Sequence, residues 1–316
     1  MNDLVSVVIP TFNRYEQLFR AIESALSQTY RNIEVIVVDD NYDNKELRNK
    51  IKEKVKKYKE IQYLMPDKHL GGSEARNYGV KYSKGKYIAF LDDDDEYYNS
   101  KIEEQINIFT ESDDKRLALV YCYGNIVYPN GLIEKEKNNY KGCPLSIQMR
   151  FNIAKTSFWL IKKDVLNLIG GFESIYSHQD GVVLLKLLSK GYRIDLCEKE
   201  LVKYFFHPRG SGITGVNDKT LNADLEYLNM CKDYFYMISK REQRKVMLKY
   251  YNNRNRNLII MNKDKVAKDD LKIIFKNYCI SKELFICIYR ILFSKMYRRK
   301  DENFNVKVLM SYNDKK

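Results

Sequence analysis

Four consecutive carboxylates, Asp92 to Asp95, follow directly on the apolar run Tyr87-Ile-Ala-Phe-Leu91. An apolar run of that length, ended by charge, reads as a buried strand. Neighbouring carboxylates repel one another, so the strand must deliver them to a place where a cation or several hydrogen-bond donors offset the repulsion. In an open α/β sheet that place is the edge formed by the C-terminal ends of the strands, where ligands bind. The same four residues inside a charged linker would be a solvated acidic loop, but their position directly behind Leu91 argues for the sheet edge.

The chain upstream repeats the strand, helix, strand alternation that such a sheet requires. Val5-Ser-Val-Val-Ile9 is a β-branched run that Pro10 is expected to end, because proline removes a backbone donor. After the turn Thr11-Phe-Asn-Arg14, the spacing of Leu18, Ile22, Ala25 and Leu26 predicts a helix over residues 15–28. Ile33-Glu-Val-Ile-Val-Val38 is the next strand and closes on Asp39-Asp40-Asn41, completing a βαβ unit. A lysine-rich helix over 46–58, a strand at 61–64, the loop Gly71-Gly-Ser73 and a helix from Ala75 to Tyr82 follow. Beyond residue 100 the pattern predicts a helix at 102–109, a strand at 117–123, a hairpin turn at Pro129-Asn-Gly131 and a buried helix through Val182 to Leu188 behind Asp180.

From about residue 218 glycine disappears and Lys, Arg, Asn, Tyr and Ile dominate, which places a domain change there. The expected division is residues 1–217, itself in two halves at 1–100 and 101–217, and a basic helical segment at 218–316. Charge follows the same line. Residues 1–230 hold 33 basic and 33 acidic side chains, and residues 231–316 hold 22 against 9, so the net +13 resides entirely in the C-terminal part. An anionic partner for that part is implied. Basic residues set beside apolar ones, as in Leu284 to Lys300, suit an anionic membrane surface; an ordinary helical subdomain with solvated lysines is the alternative. No nucleic-acid motif accompanies the charge.

Six widely spaced cysteines form no CxxC pair, and the first residues have neither a basic stretch nor a cleavage site. These features imply reduced thiols and a cytoplasmic location, with peripheral contact at the inner face of the membrane if the basic segment adsorbs there. No apolar run approaches the length of a membrane span.

Hard oxygen ligands such as the Asp92 to Asp95 carboxylates suit Mg²⁺ or Mn²⁺, ions that keep coordination positions open for phosphate oxygens. The segments Ser6-Val-Val-Ile-Pro-Thr-Phe-Asn-Arg14, Val37-Val-Asp-Asp-Asn41, Glu74-Ala-Arg-Asn-Tyr-Gly79 and Tyr87-Ile-Ala-Phe-Leu-Asp-Asp-Asp-Asp95, in this order and spacing, resemble the family 2 glycosyltransferases. The resemblance covers residues 4–100 strongly and 150–215 more weakly. It implies the GT-A fold, a Rossmann-like mixed α/β sheet flanked by helices, here with a basic helical C-terminal segment. It also implies an inverting transfer from a nucleotide-diphosphate sugar, a UDP-sugar by the character of the pocket. The acceptor would be a glycan or lipid-linked glycan of the bacterial surface.

Carried over residue by residue, the resemblance puts Pro10, Thr11, Phe12 and Asn13 at the nucleotide and Arg14 near its phosphates. Asp40, with Asp39 beside it, matches the carboxylate that accepts from the base, although turn chemistry before Asn41 would also explain the pair. Arg76 and Asn77 match positions lining the nucleotide pocket. Within the acidic run, Asp94 matches the metal ligand, Asp92 stands beside it as a second candidate, and Asp92 and Asp93 would lie near the ribose. The family's base follows a Gly-Gly-Phe turn; here Gly170-Gly-Phe172 leads to His178-Gln-Asp180, so Asp180 matches the base and Gln179 replaces the usual glutamate. A helix cap is the plainer role for Asp180. His207 matches a further metal ligand found in some relatives, or is a surface-loop histidine, and Arg209 and the glycines after it would touch phosphate. A nucleotidyltransferase would also put carboxylates at a strand end, and a noncatalytic sugar-nucleotide-binding scaffold would keep the same residues.

Overall fold

The computed structural model describes residues 3–207, 215–278 and 282–298; Arg209, Cys279 and Arg299-Lys300 lie outside them. Strand β1 (Val5–Thr11), helix α1 (Tyr15–Leu26) and strand β2 (Ile33–Asp39) form the βαβ unit, and α2 (Lys45–Val55), β3 (Ile61–Leu64), α3 (Gly72–Tyr82) and β4 (Tyr87–Phe90) continue the alternation. These four strands are parallel in the order β3-β2-β1-β4. β1 and β4 are buried on both faces, which is why they read as continuous apolar runs rather than alternating ones. Helix α3 lies so close to the sheet that a Cβ on Gly79 would come within 2.4 Å of Val8.

β1 does not stop at Pro10 but runs to Thr11, whose register partner on β2 is Asp39. The missing proline N–H costs no ladder bond. Val8 accepts from Leu91 N at 3.0 Å on the β4 side, and Pro10 faces that side beyond the last β1–β4 pair, Val8 with Phe90.

The second half adds β5 (Glu96–Tyr97), α4 (Lys101–Glu111), β6 (Leu117–Val127), β7 (Ile133–Glu136), α5 (Leu145–Gln148), β8 (Trp159–Lys162), α6 (Lys163–Leu168), α7 (Gln179–Ser189) and β9 (Arg193–Phe205). β8 is antiparallel to both β4 and β6, which turns the parallel sheet into a mixed one of order β3-β2-β1-β4-β8-β6-β9-β5, with β7 in a hairpin on β6. Trp159 on β8 is wholly buried, and its indole N–H donates to Ala154 O at 3.1 Å. Lys101 is wholly buried too; its ammonium donates to Gln105 Oε1 at 2.8 Å and Trp159 O at 3.0 Å. Burial pushes its pKa down to about 8.

Helices α8 (Asp218–Asp233), α9 (Lys240–Ile260), α10 (Asp264–Tyr278) and α11 (Lys282–Leu292) complete the described chain. Ala223, Tyr227, Leu228 and Cys231 of α8 and Val246 of α9 belong to the same core as the sheet, so the principal core crosses residue 217. Smaller clusters around Leu258 and around Ile274 join α8 to α11 beyond it. On and after α11, Phe285, Tyr289, Leu292, Phe293 and Met296 are 47–72% exposed. Their spacing puts them on one helical face. No described helix is long and apolar enough to cross a membrane.

Candidate active site

The parallel strands bring Thr11, Asp39 and Asp92 to one sheet edge. Past Thr11 the chain turns through Asn13, whose φ of 56° is left-handed, a conformation asparagine tolerates better than most residues. Asn41 Oδ1 holds that turn by accepting from Asn13 N at 2.7 Å. Phe12 is left 49% exposed, its ring 4.9 Å from that of His69. Arg14 reaches the acidic run, donating to Asp93 at 2.7 Å and pairing with Asp94 at 2.9 Å.

Asp39 is buried and accepts from Asn41 N at 2.9 Å, Asn41 Nδ2 at 2.7 Å and the Tyr63 hydroxyl. Asp40 accepts from Leu70 N at 2.6 Å and Gly71 N at 2.8 Å, and lies 3.1 Å from His69 Nδ1. The acidic pair therefore anchors two loops, the one after β2 and the one entering α3, and places His69 beside Phe12.

The acidic run alternates. Asp93 and Asp95 point inward and are 3% and 1% exposed; Asp92 and Asp94 are half-buried and face outward. Asp93 accepts from Thr11 Oγ1 at 2.8 Å, Phe12 N at 3.2 Å and Arg14, which ties it to the β1 turn. Burial and the Asp94 charge raise its pKa to about 6 against the pull of Arg14. Asp95 accepts from Ser157 Oγ at 2.6 Å and Phe205 N at 3.2 Å, tying the run to β9.

Asp94 Oδ2 is 2.7 Å from His207 Nε2. Burial opposes its ionisation, but His207 and Arg14 together hold its pKa below the usual carboxylate value. His207 Nε2 is closed off from solvent and, among the described residues, makes no hydrogen bond of normal geometry. One carboxylate oxygen and one imidazole nitrogen are two donors that would share a divalent cation, the carboxylate suiting Mn²⁺ or Mg²⁺ and the imidazole softer ions. Among the described residues no cluster of three His, Cys, Asp or Glu side chains is gathered to hold a metal. Asp92 instead accepts from Arg76 Nη2 at 2.5 Å.

Arg76 joins this edge to the second half of the chain. Its other guanidinium nitrogen donates to Gln179 Oε1 at 3.0 Å, one residue before Asp180. Glutamine suits the position because it accepts from Arg76 without adding a further negative charge. Asn77 pairs with the Gly-Gly-Phe turn: its amide donates to Phe172 O at 2.8 Å and accepts from Phe172 N at 2.9 Å, so both ends pin that turn. Gly171 in that turn has φ 68°, and a Cβ there would lie 2.5 Å from Asn77 Oδ1.

Asp180 is not the helix cap. His178 is, at a left-handed φ of 66°, locked by a 2.7 Å contact with Asp224 and by stacking on Tyr227. Asp180 lies in the first turn, half-buried; Oδ1 accepts from Gly181 N at 2.8 Å and Oδ2 from Asn152 Nδ2 at 2.6 Å. Burial raises its pKa, with Gly181 N, His178, Asn152 and Arg76 opposing. A half-buried carboxylate with a raised pKa is a stronger base than an ordinary carboxylate. Asn152 carried no sequence signal.

Residues 6–170 match the family model described as glycosyl transferase family 2, more than half of the chain. The chain belongs to that family. It is 29% identical over 222 residues to an uncharacterized glycosyltransferase of Methanocaldococcus jannaschii, the match covering 69% of this chain and 76% of that protein. It is 34% identical over 194 residues to UDP-Glc:alpha-D-GlcNAc-diphosphoundecaprenol beta-1,3-glucosyltransferase WfaP of Escherichia coli, covering 60% of this chain and 72% of WfaP. Matches to rickettsial glycosyltransferases span 15–36% of those proteins. Among solved structures, S. aureus TarS 1–349 in complex with UDP superposes with a TM-score of 0.61 at 14% identity, covering 99% of this chain and 92% of that one. The fold is therefore GT-A, and the glycosyltransferase fold holds the acidic edge and Asp180 together.

Proposed function

We propose that this glycosyltransferase moves a sugar, with inversion, from a UDP-sugar to a hydroxyl of a glycan or lipid-linked glycan acceptor in bacterial surface-polysaccharide synthesis. The observation that supports the proposal is the Arg76 bridge, which ties the acidic edge at Asp92 to the Gln179-Asp180 turn. Phe12 offers an exposed stacking face beside His69 at the β1 end, as a nucleobase site requires. UDP and UDP-GlcNAc complexes of TarS and the UDP-glucose donor in the name of WfaP support the choice of nucleotide.

In the proposed reaction Asp180 Oδ accepts the proton of the acceptor hydroxyl as that oxygen attacks the anomeric carbon from the face opposite the diphosphate. Asn152 and Gly181 N keep the carboxylate aimed while it does so. Asp94 and His207 would hold Mn²⁺ or Mg²⁺, whose chemistry is to neutralise charge on the departing diphosphate. Arg14 places a further cation beside Asp94. The test is transfer from a panel of UDP-sugars to an N-acetylglucosaminyl diphospholipid. Turnover without any UDP-sugar, or pyrophosphate release from a nucleoside triphosphate and a sugar phosphate, would overturn the proposal.

We further propose that the exposed face Phe285, Tyr289, Leu292, Phe293 and Met296 rests on an anionic membrane surface, bringing the cleft to a lipid-linked acceptor. The positive excess of residues 231–316 supports that partner. The five described cysteines are free thiols, which supports a cytoplasmic site.

A further inference from the structure

A cavity of about 510 Å³ lies between α5, the start of α7 and helices α8 and α9. It adjoins Asp180: Asn152, which donates to that carboxylate, and Gly181, the next residue, both form part of its wall. The C-terminal helices supply the opposite wall through Tyr227, Lys249 and Tyr250. A pocket with aromatic faces and a few convergent polar groups is the usual form of a small-ligand site.

Its charge is distributed unevenly. In its lining His178 Nε2 and Asp224 Oδ1 contact each other at 2.7 Å. Arg150 and Lys249, also in the lining, share the Phe151 ring, at 5.7 and 4.4 Å from its centroid. Arg150 has Glu242 at 3.4 Å, but Glu242 also holds Lys245 at 2.6 Å. Lys249 has no carboxylate partner among the described residues, and Arg256 and Arg290 add to the positive field around it. Burial and those three arginines push its pKa down, the sign of a cation lacking an anion.

We propose that this cavity is an acceptor subsite that takes a sugar ring carrying a phosphate or diphosphate, with the anionic group against Lys249 and Arg150 and the ring towards Asn152. The inference rests on the reading of Asp180 as the base, and it names the acceptor's chemistry: a phosphorylated glycan, whether the phosphate links sugar to lipid or joins units of a chain. Residues beyond 217 thus complete the acceptor site of the catalytic domain instead of forming a separate module.

The experiment is calorimetric titration of the full chain at saturating UDP with three probes: an alkyl diphospho-N-acetylglucosamine, a glycerol-phosphate oligomer and neutral octyl N-acetylglucosaminide. At least one anionic probe should bind roughly tenfold tighter than the neutral one, the size of one charge-assisted contact. Which anionic probe does so tells a lipid-linking diphosphate from a chain phosphodiester. Lys249→Gln should remove most of that preference and Lys249→Arg restore it. Equal binding of all three probes, absence of binding by both anionic ones, or an unchanged preference in Lys249→Gln overturns the subsite. Thermal stabilisation by UDP, measured on the same samples, verifies folding of each variant; its absence in the wild type would count against the nucleotide-sugar reading itself, separately from the cavity.

Discussion

Asn152 Nδ2 donates to Asp180 Oδ2 at 2.6 Å, and so decides both where the proposed base points and how readily it ionises. The bond favours the charged carboxylate, while burial disfavours it and wins.

Activity should therefore fall as pH drops through a pKa above the ordinary carboxylate value, since a protonated Asp180 cannot accept a proton. Asn152→Ala removes a donor to the ionised form, and should move the acid limb of kcat/KM to higher pH without weakening UDP binding. Asp180→Asn should lower transfer by roughly 10²–10⁴, the range for loss of a general base. Full pH–rate profiles of the two variants check this; an Asn152→Ala limb shifted to lower pH contradicts the assignment.

Much of this site was legible in the sequence because backbone register, not side-chain chemistry, brings it together. Thr11, Asp39 and Asp92 end parallel strands, so a pattern of apolar runs sufficed to place them on one edge. The alternation inside Asp92 to Asp95 was not legible, because four identical side chains carry no mark of which faces inward; Thr11, Ser157 and Phe205 decide it from distant parts of the chain. Asn77 and Asn152 show the same limit. Asn152 is an asparagine in an unremarkable stretch and Asn77 sits in a segment that carries the resemblance, yet only the fold reveals that one pins Asp180 and the other Phe172. Pro10 reads as a strand end in the sequence because whether its missing N–H would have had a partner depends on where β4 stops.

Asp94 and His207 form the proposed metal pair, so removing either ligand should weaken the cation before it affects the fold. Asp94→Asn and His207→Ala should each raise the Mn²⁺ concentration needed for half-maximal activity by roughly tenfold or more, while chelator should abolish turnover in the wild type. Metal titration of activity, with UDP binding measured in parallel, checks the prediction. Chelator-resistant turnover would remove the metal from the proposal.

The α11 face is a prediction about lipid. Binding to vesicles containing anionic phospholipid should exceed binding to neutral vesicles and fall as salt rises, because surface attraction is screened over about 10 Å at 0.1 M. Phe285→Ser with Leu292→Ser should reduce it several-fold, since both side chains are more than 60% exposed and leave the helical core intact. Sedimentation with vesicles measures this, and a self-association change in the double variant with no change in vesicle binding would reassign the face to a second copy of the chain.

Lys101 predicts a pH dependence of stability unrelated to catalysis. Its folded pKa of about 8 lies below the ordinary 10.5, so between those values the unfolded chain binds a proton that the folded chain has released. Stability from this group is then fully present above pH 10.5, and is lost as pH falls through about 8. The slope is at most about 1.4 kcal/mol per pH unit. Lys101→Met keeps the bulk but removes the titration, and it leaves Gln105 Oε1 and Trp159 O short of a donor. Denaturant unfolding at pH 7.5 and pH 9.5 should show wild-type stability gaining on that of Lys101→Met as pH rises. A difference that stays constant or shrinks over that interval would mean that the ammonium is held in its charged form through the alkaline range, by Gln105, Trp159 O and the face of Tyr97 4.2 Å away.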